Sequence, residues 1–391
     1  MTQASAPLGI LGDGQLALML GEAAERHGIP FLAFGESLDS SFARAFPKQI
    51  VIGDSERTRD LISFAKQCSV VTLENEFFPA HILEAIERES GTPVIPDSKS
   101  YRHFETKLAQ RAFYQSLKLG APRWQAGETS PDEILTQIEK NFSYPLILKA
   151  SRGGYDGYGV RVVKNSAEIP AALKDLRHSA DNPALIEEKV SIQREFAQGA
   201  LFDGKGHAIL LPLVETVQRN GICELVLSRS TLPTAAFEIV KTKIEHAMNA
   251  ISKSGIVGLY SFEFFYTTNG EVVINEGAPR PHNSQHLGID ASPVSQFDLL
   301  VLFAATGKLP NVASPISSKP GVMINLLGKS VGADYQLTLP ALPSELSVHP
   351  KLYLKKESRV GRKMGHLNLV DPTGKHDLVE LGEKLLKEYH L

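Results

Sequence analysis

The stretch that most constrains this chain is IVGLYSFEFFYTTNGEVVINEGAPRPHNS, residues 256 to 284. Two runs rich in aromatic and β-branched residues flank Asn269-Gly270, a pair that readily takes the positive φ angles of a tight hairpin turn. Counting outward from a two-residue loop sets Thr268 against Glu271 and Glu263 against Glu276. The two carboxylates then face one another on one side of a sheet, their Cβ atoms about 5 Å apart. Like charges so placed destabilise a ladder unless a cation lies between them. Glu263 also stands among Tyr260, Phe262, Phe264 and Phe265, where a solvated carboxylate is out of place. A hard divalent ion that accepts carboxylate and phosphate oxygens together answers both objections, so Mg²⁺ is expected here, with Mn²⁺ as a substitute. A slipped register, or Glu276 standing in water at a strand end, is the plain alternative.

After the hairpin come Arg280, Pro281, His282, Asn283 and Ser284. A cation, an imidazole and an amide stiffened by proline suit a small oxyanion such as a carboxylate or bicarbonate. A structural loop reads almost as well.

Upstream, the apolar run YPLILKA ends in Lys149 and leads into SRGGYDGYGV, residues 151 to 160. Its glycines fit neither the dinucleotide nor the P-loop spacing, yet a backbone so rich in glycine can approach a bulky anion and move. Lys149 can reach phosphates that the loop covers. Glu187-Glu188-Lys189-Val190 closes another strand. A strand edge can read an adenine there, and a carboxylate such as Glu195 can accept ribose hydroxyls.

The first hundred residues alternate strand and helix, which predicts an open, mostly parallel sheet. GILGDGQLA, with Gly12 and Gly14, permits three readings: a plain tight turn, an anion site at a helix N-terminus, or an incomplete dinucleotide fingerprint, since Ala17 replaces the third glycine. PDSKS starts a helix expected from about Lys99 to Leu119, capped by Asp97 or Ser98. Residues from about 144 to 230 read as strands joined by glycine turns.

Composition excludes several classes. The net charge of −3 over 391 residues carries no strong field toward nucleic acid or an anionic membrane, so neither partner is expected. No apolar run is long enough to span a bilayer, and the first residues lack a signal-like pattern. Cys68 and Cys223 stand far apart without metal spacing. A reducing, cytoplasmic compartment is the expectation.

The order of these features, with GDGQL, TLENE, RGGYDGYG, INEGAPRPHNS, MINLLG and ESRVGRKMGHLNL, resembles the ATP-grasp superfamily and, within it, the N5-carboxyaminoimidazole ribonucleotide synthetase family. The resemblance spans nearly the whole chain. It implies an α/β fold, α+β in its central part: a parallel α/β domain over 1–98, an ATP-grasp domain over 99–305 with a mobile lid at about 120–190, and a C-terminal domain over 306–391. It also implies an ATP- and bicarbonate-dependent carbon–nitrogen ligase of purine biosynthesis, acting on 5-aminoimidazole ribonucleotide as a homodimer.

Residue by residue, the resemblance gives ATP to Lys107, Lys149, Gly154, Tyr155, Asp156, Gly157, Tyr158, Gly159 and Val160. It adds Glu187, Glu188, Lys189, Val190, Glu195, Gln218, Asn275 and Glu276. It gives Mg²⁺ to Glu263 and Glu276, and catalysis to Tyr155, Asp156, Arg280, His282 and Asn283, with His282 a candidate for removing the amine proton. Gln15, Glu74, Lys355 and Arg362 fall to the ribonucleotide, the last two on its phosphate across a turn at 358–361. The chain departs from the family pattern at His103, where arginine is usual four residues before Lys107, and at Gln218, where histidine is usual. Tyr158 stands for a lid lysine, Gln285-His286-Leu287 for Gly-His-Trp, and Val360 for a proline. Rival readings are a formate-dependent transformylase, a biotin carboxylase, an NAD-dependent dehydrogenase and a non-catalytic ATP-binding regulator.

Overall fold

The structure, a computed structural model, describes residues 6–153, 159–219 and 221–391. Five parallel strands make the N-terminal sheet, with Leu8–Leu11 at its centre between Phe31–Gly35 and Val70–Leu73. The connections reverse direction on either side of that central strand. The crevice this leaves at the carboxyl ends of the strands is where ligands gather in open α/β sheets. Helix Gln15–Arg26 starts there and buries Leu16, Ala17, Leu18, Met19 and Leu20.

The second sheet holds nine strands and runs from the Glu263/Glu276 hairpin to the C-terminal region. Strand Ile222–Leu227 pairs with Gly321–Leu327, Leu225 lying against Ile324. The last strands therefore extend the central sheet instead of forming a layer of their own. Between them and the N-terminal sheet, helix Gln296–Thr306 contributes Phe297, Leu299, Leu300, Val301 and Phe303 to a core shared with Leu16–Leu20. A third, four-stranded sheet carries Leu146–Lys149 and Val160–Val163, the antiparallel arms of the glycine-rich connection.

Three expectations need correction. The helix expected from 99 to 119 is two helices, Ser98–Tyr101 and Lys107–Ser116. Asp97 caps the first as expected, but the Thr106 side chain accepts the Ala109 N–H and starts a second helix. That break sends Phe104 into the aromatic core against Tyr260 and Phe262 and points Lys107 elsewhere. Within the stretch read as strands, Ile169–Asp175 is helical, burying Ile169, Ala172 and Leu173. Finally, Leu185–Glu188 is an inner strand, flanked by Trp124–Ala126 and Leu146–Lys149. It offers no free edge; unpaired backbone begins only at Lys189 and Val190.

No single helix among the described residues is long and apolar enough to cross a membrane.

Candidate active site

A cleft of about 1120 Å³ opens where the sheets meet, lined from the N-terminal crevice, the hairpin and the C-terminal strands. The hairpin supplies its floor. Strands Val257–Thr267 and Val272–Ala278 place Glu263 opposite Glu276, as the turn count predicts. The route differs. The loop holds three residues, with Thr267 bonded to Glu271 and Gly270 at φ +82°, which shifts the register by one. A bulge at Asn275 shifts it back, since Phe264 pairs with Ile274 but Glu263 with Glu276. The bulge also brings Asn275 into the site, where its Oδ1 accepts from Lys149 Nζ (3.1 Å) and its Nδ2 donates to Glu263 (3.4 Å).

Burial, with Glu276 and Glu195 nearby, drives the Glu263 carboxyl well above its usual range. Glu276 is held low because the Lys107 ammonium is bonded to it. Glu195, on the neighbouring strand, is pushed up to about 7 by burial and by Glu276. Three acids thus share one face, Lys107 bonds only one of them, and the other two carboxyls are driven to keep their protons. That donor set fits a hard divalent ion which completes its shell with phosphate oxygens. Among the described residues no group of three or more metal-ligating side chains makes a closed cage.

Behind the floor lies a buried charge cluster that sequence reasoning missed in part. Lys149 Nζ is 2.7 Å from Glu187, and Arg111 binds the same carboxylate and donates to the Asn275 carbonyl. Arg111 and Glu187 are both 2% exposed. Glu187 therefore holds Lys149 in place instead of standing open to a ligand. Burial lowers the Lys149 ammonium despite Glu187, so it is poised to gain from an incoming phosphate. Glu188 pairs with Arg123, Lys189 is exposed and Val190 half-buried; none of the four residues 187–190 lines the cleft.

His103, the doubtful phosphate contact, stacks on Phe113 with ring centroids 4.5 Å apart, and it does not line the cleft. The basic pair four residues apart beside the site is Lys107, which lines the cleft, and Arg111, buried behind its floor. Their spacing puts both on one face of helix Lys107–Ser116. Gln218 and Val160 do line the cleft, and Gly159 takes φ +80° at the end of the glycine-rich connection. Gly154, Tyr155, Asp156, Gly157 and Tyr158 lie outside the described residues, so the lid expectation rests on sequence alone.

At the other end, the N-terminal glycine turn is the plain tight turn of the first reading, and a side chain of the protein fills it. The Glu74 carboxylate accepts from Gly14 N and Ala17 N, both 3.3 Å away, at the start of helix Gln15–Arg26. A Cβ on Gly12 would come within 2.2 Å of Glu74, and one on Gly14 within 2.9 Å. The glycines make room for an anion, and the protein supplies that anion itself. Burial raises the Glu74 carboxyl above its usual range even so.

Beside Glu74, Lys355 Nζ donates to Gln15 Oε1 at 2.7 Å. Burial and the neighbouring Arg362 both lower the Lys355 ammonium. Arg362 bonds the Glu357 carbonyl, and its N–H to the Arg359 carbonyl closes a turn one residue later than expected. Lys355 lines the cleft; Arg362 does not, though its charge acts on Lys355.

Between the two ends lie Arg280, His282 and Asn283. Arg280 makes a forked pair with Glu76, an acid that sequence reasoning passed over within TLENE. Asn283 and Asn325 exchange two side-chain hydrogen bonds, 2.8 and 2.6 Å. Asn325 was also missed, although a fully buried amide in the apolar strand GVMINLL is itself a signal. The His282 ring is held down to about 4 by burial and by Arg280 and Lys363. Its Nδ1 lies 2.9 Å from the Ser284 hydroxyl and 3.4 Å from the Ser284 N–H, and its Nε2 faces Glu263 at 3.9 Å. The neutral His282 ring thus turns Nε2 toward the acidic floor, within reach of an oxyanion or of an amine proton.

Residues 5–103 match a ribonucleotide synthetase preATP-grasp domain, 112–297 an ATP-grasp domain, and 321–378 a phosphoribosylaminoimidazole carboxylase C-terminal domain. The N5-carboxyaminoimidazole ribonucleotide synthase of Synechocystis is 33% identical over 377 residues, covering 93% of this chain and 92% of that one. The Aspergillus clavatus enzyme, solved with ADP and 5-aminoimidazole ribonucleotide, superposes with a TM-score of 0.81 at 26% identity, over 97% of this chain and 99% of that one. The Thermus thermophilus synthetase gives 0.79 at 28% identity, covering 97% of each chain. The chain belongs to the N5-carboxyaminoimidazole ribonucleotide synthase family of ATP-grasp proteins.

Proposed function

We propose that this protein uses ATP and bicarbonate to carboxylate 5-aminoimidazole ribonucleotide on its exocyclic amine. The observation that carries the reading is one cleft with two unlike ends. Opposed carboxylates and Lys149 lie at one end; Lys355, backed by Arg362, lies at the other. The first suits a metal-bound triphosphate and the second a phosphate dianion.

A bicarbonate oxygen attacks the γ-phosphorus, and ADP leaves with the electron pair of the broken P–O bond. Lys149 and Lys107 offset charge on the transferring group. Mg²⁺ (or Mn²⁺), held by Glu263 and Glu276, would neutralise the phosphate oxygens. The amine nitrogen then bonds to the carboxyl carbon of carboxyphosphate as the carbon–oxygen bond to phosphate breaks. The amine proton passes to the departing phosphate, the strongest base formed in the step. The His282 ring and the Arg280 fork suit the bicarbonate oxygens. Carboxyphosphate and the carbamate product both decompose in water, so chemistry in a dry site is required. The glycine-rich segment 153–159 is proposed as the cover, and a homodimer in the cytoplasm as the working form.

ADP release should require bicarbonate and the ribonucleotide together, with labelled bicarbonate recovered as an acid-labile carbamate. Release supported equally by formate, or by ATP alone, would refute the assignment.

A further inference from the structure

The segment that carries Arg280, His282 and Asn283 is almost without regular structure: bends and extended residues from Pro279 to His282, then the short 3-10 turn Asn283–Gln285. Groups that must meet a small anion in a fixed direction need more support than that. Glu76 holds the Arg280 side chain and Asn325 that of Asn283, but the main chain at His282 is held by one further side chain. Gln296, 1% exposed, is the first residue of helix Gln296–Thr306 and does not line the cleft. Its Oε1 accepts the His282 N–H at 2.8 Å, and its Nε2 donates to the His282 carbonyl at 2.9 Å. The amide thus pairs with the His282 main chain as a neighbouring strand would. Its second Nε2 hydrogen is directed at His286 Nδ1, also 2.9 Å away. The amide orientation is dictated by its partners, because a backbone N–H only donates and a carbonyl only accepts. Nδ1 of His286 is then an acceptor, and that ring carries its proton on Nε2.

Gln296 is not needed by its own helix. Ser295 and Asp298 form a reciprocal capping box at that end, and Arg26 pins Asp298 from the N-terminal domain at 2.8 Å. The side-chain amide spends its acceptor and both donors on residues 282–286 and sits on a helix anchored to a different core. We propose that Gln296 is the positioning residue of the reacting segment: it clamps His282 and His286 so that His282 and Asn283 face the anion and the ribonucleotide in one direction. The inference rests on the ligase reading above, and it assigns to a side chain outside the cleft the alignment that the reaction needs.

Gln296→Met keeps the volume and removes all three bonds. It should lower kcat by about 10- to 100-fold, the scale of a misplacement of about 1 Å. KM for bicarbonate and the ribonucleotide should rise, while KM for ATP stays within about twofold. Gln296→Glu retains the acceptor for the His282 N–H but opposes a carboxylate to the His282 carbonyl, so it should show the same split. Either folded variant with wild-type kcat and wild-type KM values would overturn the proposal. So would losses that affect ATP as much as the other two substrates. Should neither variant fold, ring ¹⁵N shifts of His286 in the wild-type protein still decide. A bare Nδ1 with the proton on Nε2 is expected, and a proton on Nδ1 would overturn the clamp. Wild-type protein that released no ADP with bicarbonate and ribonucleotide would sink the ligase reading instead, a distinct result.

Discussion

At the hairpin end of the cleft, positive charges already have acids: Lys107 on Glu276, and Lys149 and Arg111 on Glu187. At the N-terminal end, Lys355 bonds a neutral amide oxygen and Arg362 a backbone carbonyl, and burial and Arg362 lower the Lys355 ammonium more than Glu74 and Asp13 raise it. The first arrangement is stable before any ligand arrives, and a new cation enters it by taking over carboxylate oxygens that Lys107 now shares. Among the described residues the second makes no carboxylate ion pair, so it has more to gain from an incoming anion. Pre-paired charge holds geometry; unpaired charge holds affinity in reserve.

The largest expected effect breaks the hairpin end. Glu276→Gln removes one of the two opposed carboxylates and releases Lys107. ADP formation should fall by at least about 10³-fold, the scale of losing a group that stabilises transition-state charge, while circular dichroism and melting stay near wild type. Wild-type Mg²⁺-dependent turnover in that variant would contradict the paired-carboxylate account.

Arg111→Met tests whether the cluster behind the floor is structural. Removing one partner of a buried charge network costs about 3–5 kcal/mol, readable in urea unfolding. Lys355→Ala, whose partner is neutral, should cost less than about 1 kcal/mol. Equal costs would erase the contrast between the two ends.

Arg362→Ala probes the basic end. A charge-assisted contact to a phosphate is worth roughly 1.5–3 kcal/mol, so KM for the ribonucleotide should rise about 10- to 100-fold. KM for ATP should hardly change.

The smallest effect is on pH. Glu195 is raised to about 7, chiefly by burial, and Glu263 is raised as well. Below that range these carboxyls keep protons which a metal must displace. Affinity for Mg²⁺-nucleotide should therefore strengthen as pH rises through about 7, by no more than about tenfold per pH unit for each proton released. Calorimetry in buffers of different ionisation enthalpy would detect those protons. Affinity that falls with rising pH would give the wrong sign.

What could be read from sequence follows the range of the interaction. The hairpin was legible because strand alternation and Asn269-Gly270 are local, although the correct pairing of Glu263 with Glu276 arose from two departures that cancel, a longer loop and the Asn275 bulge. The parallel N-terminal sheet was legible from its alternation of strand and helix. Glu74 filling the glycine turn was not, since its partners lie 57 and 60 residues away and no local pattern joins them. Arg111 was overlooked for a similar reason: a polar helix residue looks solvated until Glu187 is brought against it from another sheet. The helix break at Thr106 was visible as an N-cap residue, but the apolar pattern running through it masked the signal.

The claim that the two ends bind different charges is tested most directly by equilibrium binding, apart from turnover. Mg²⁺–ADP and 5-aminoimidazole ribonucleotide would each be titrated calorimetrically into Glu276→Gln and Lys355→Ala proteins. The account predicts a crossed result. Glu276→Gln weakens Mg²⁺–ADP by at least about tenfold and leaves the ribonucleotide within about twofold, whereas Lys355→Ala does the reverse. If both variants weakened the same ligand, or each weakened both equally, the cleft would not have two separate ends and the account would be wrong.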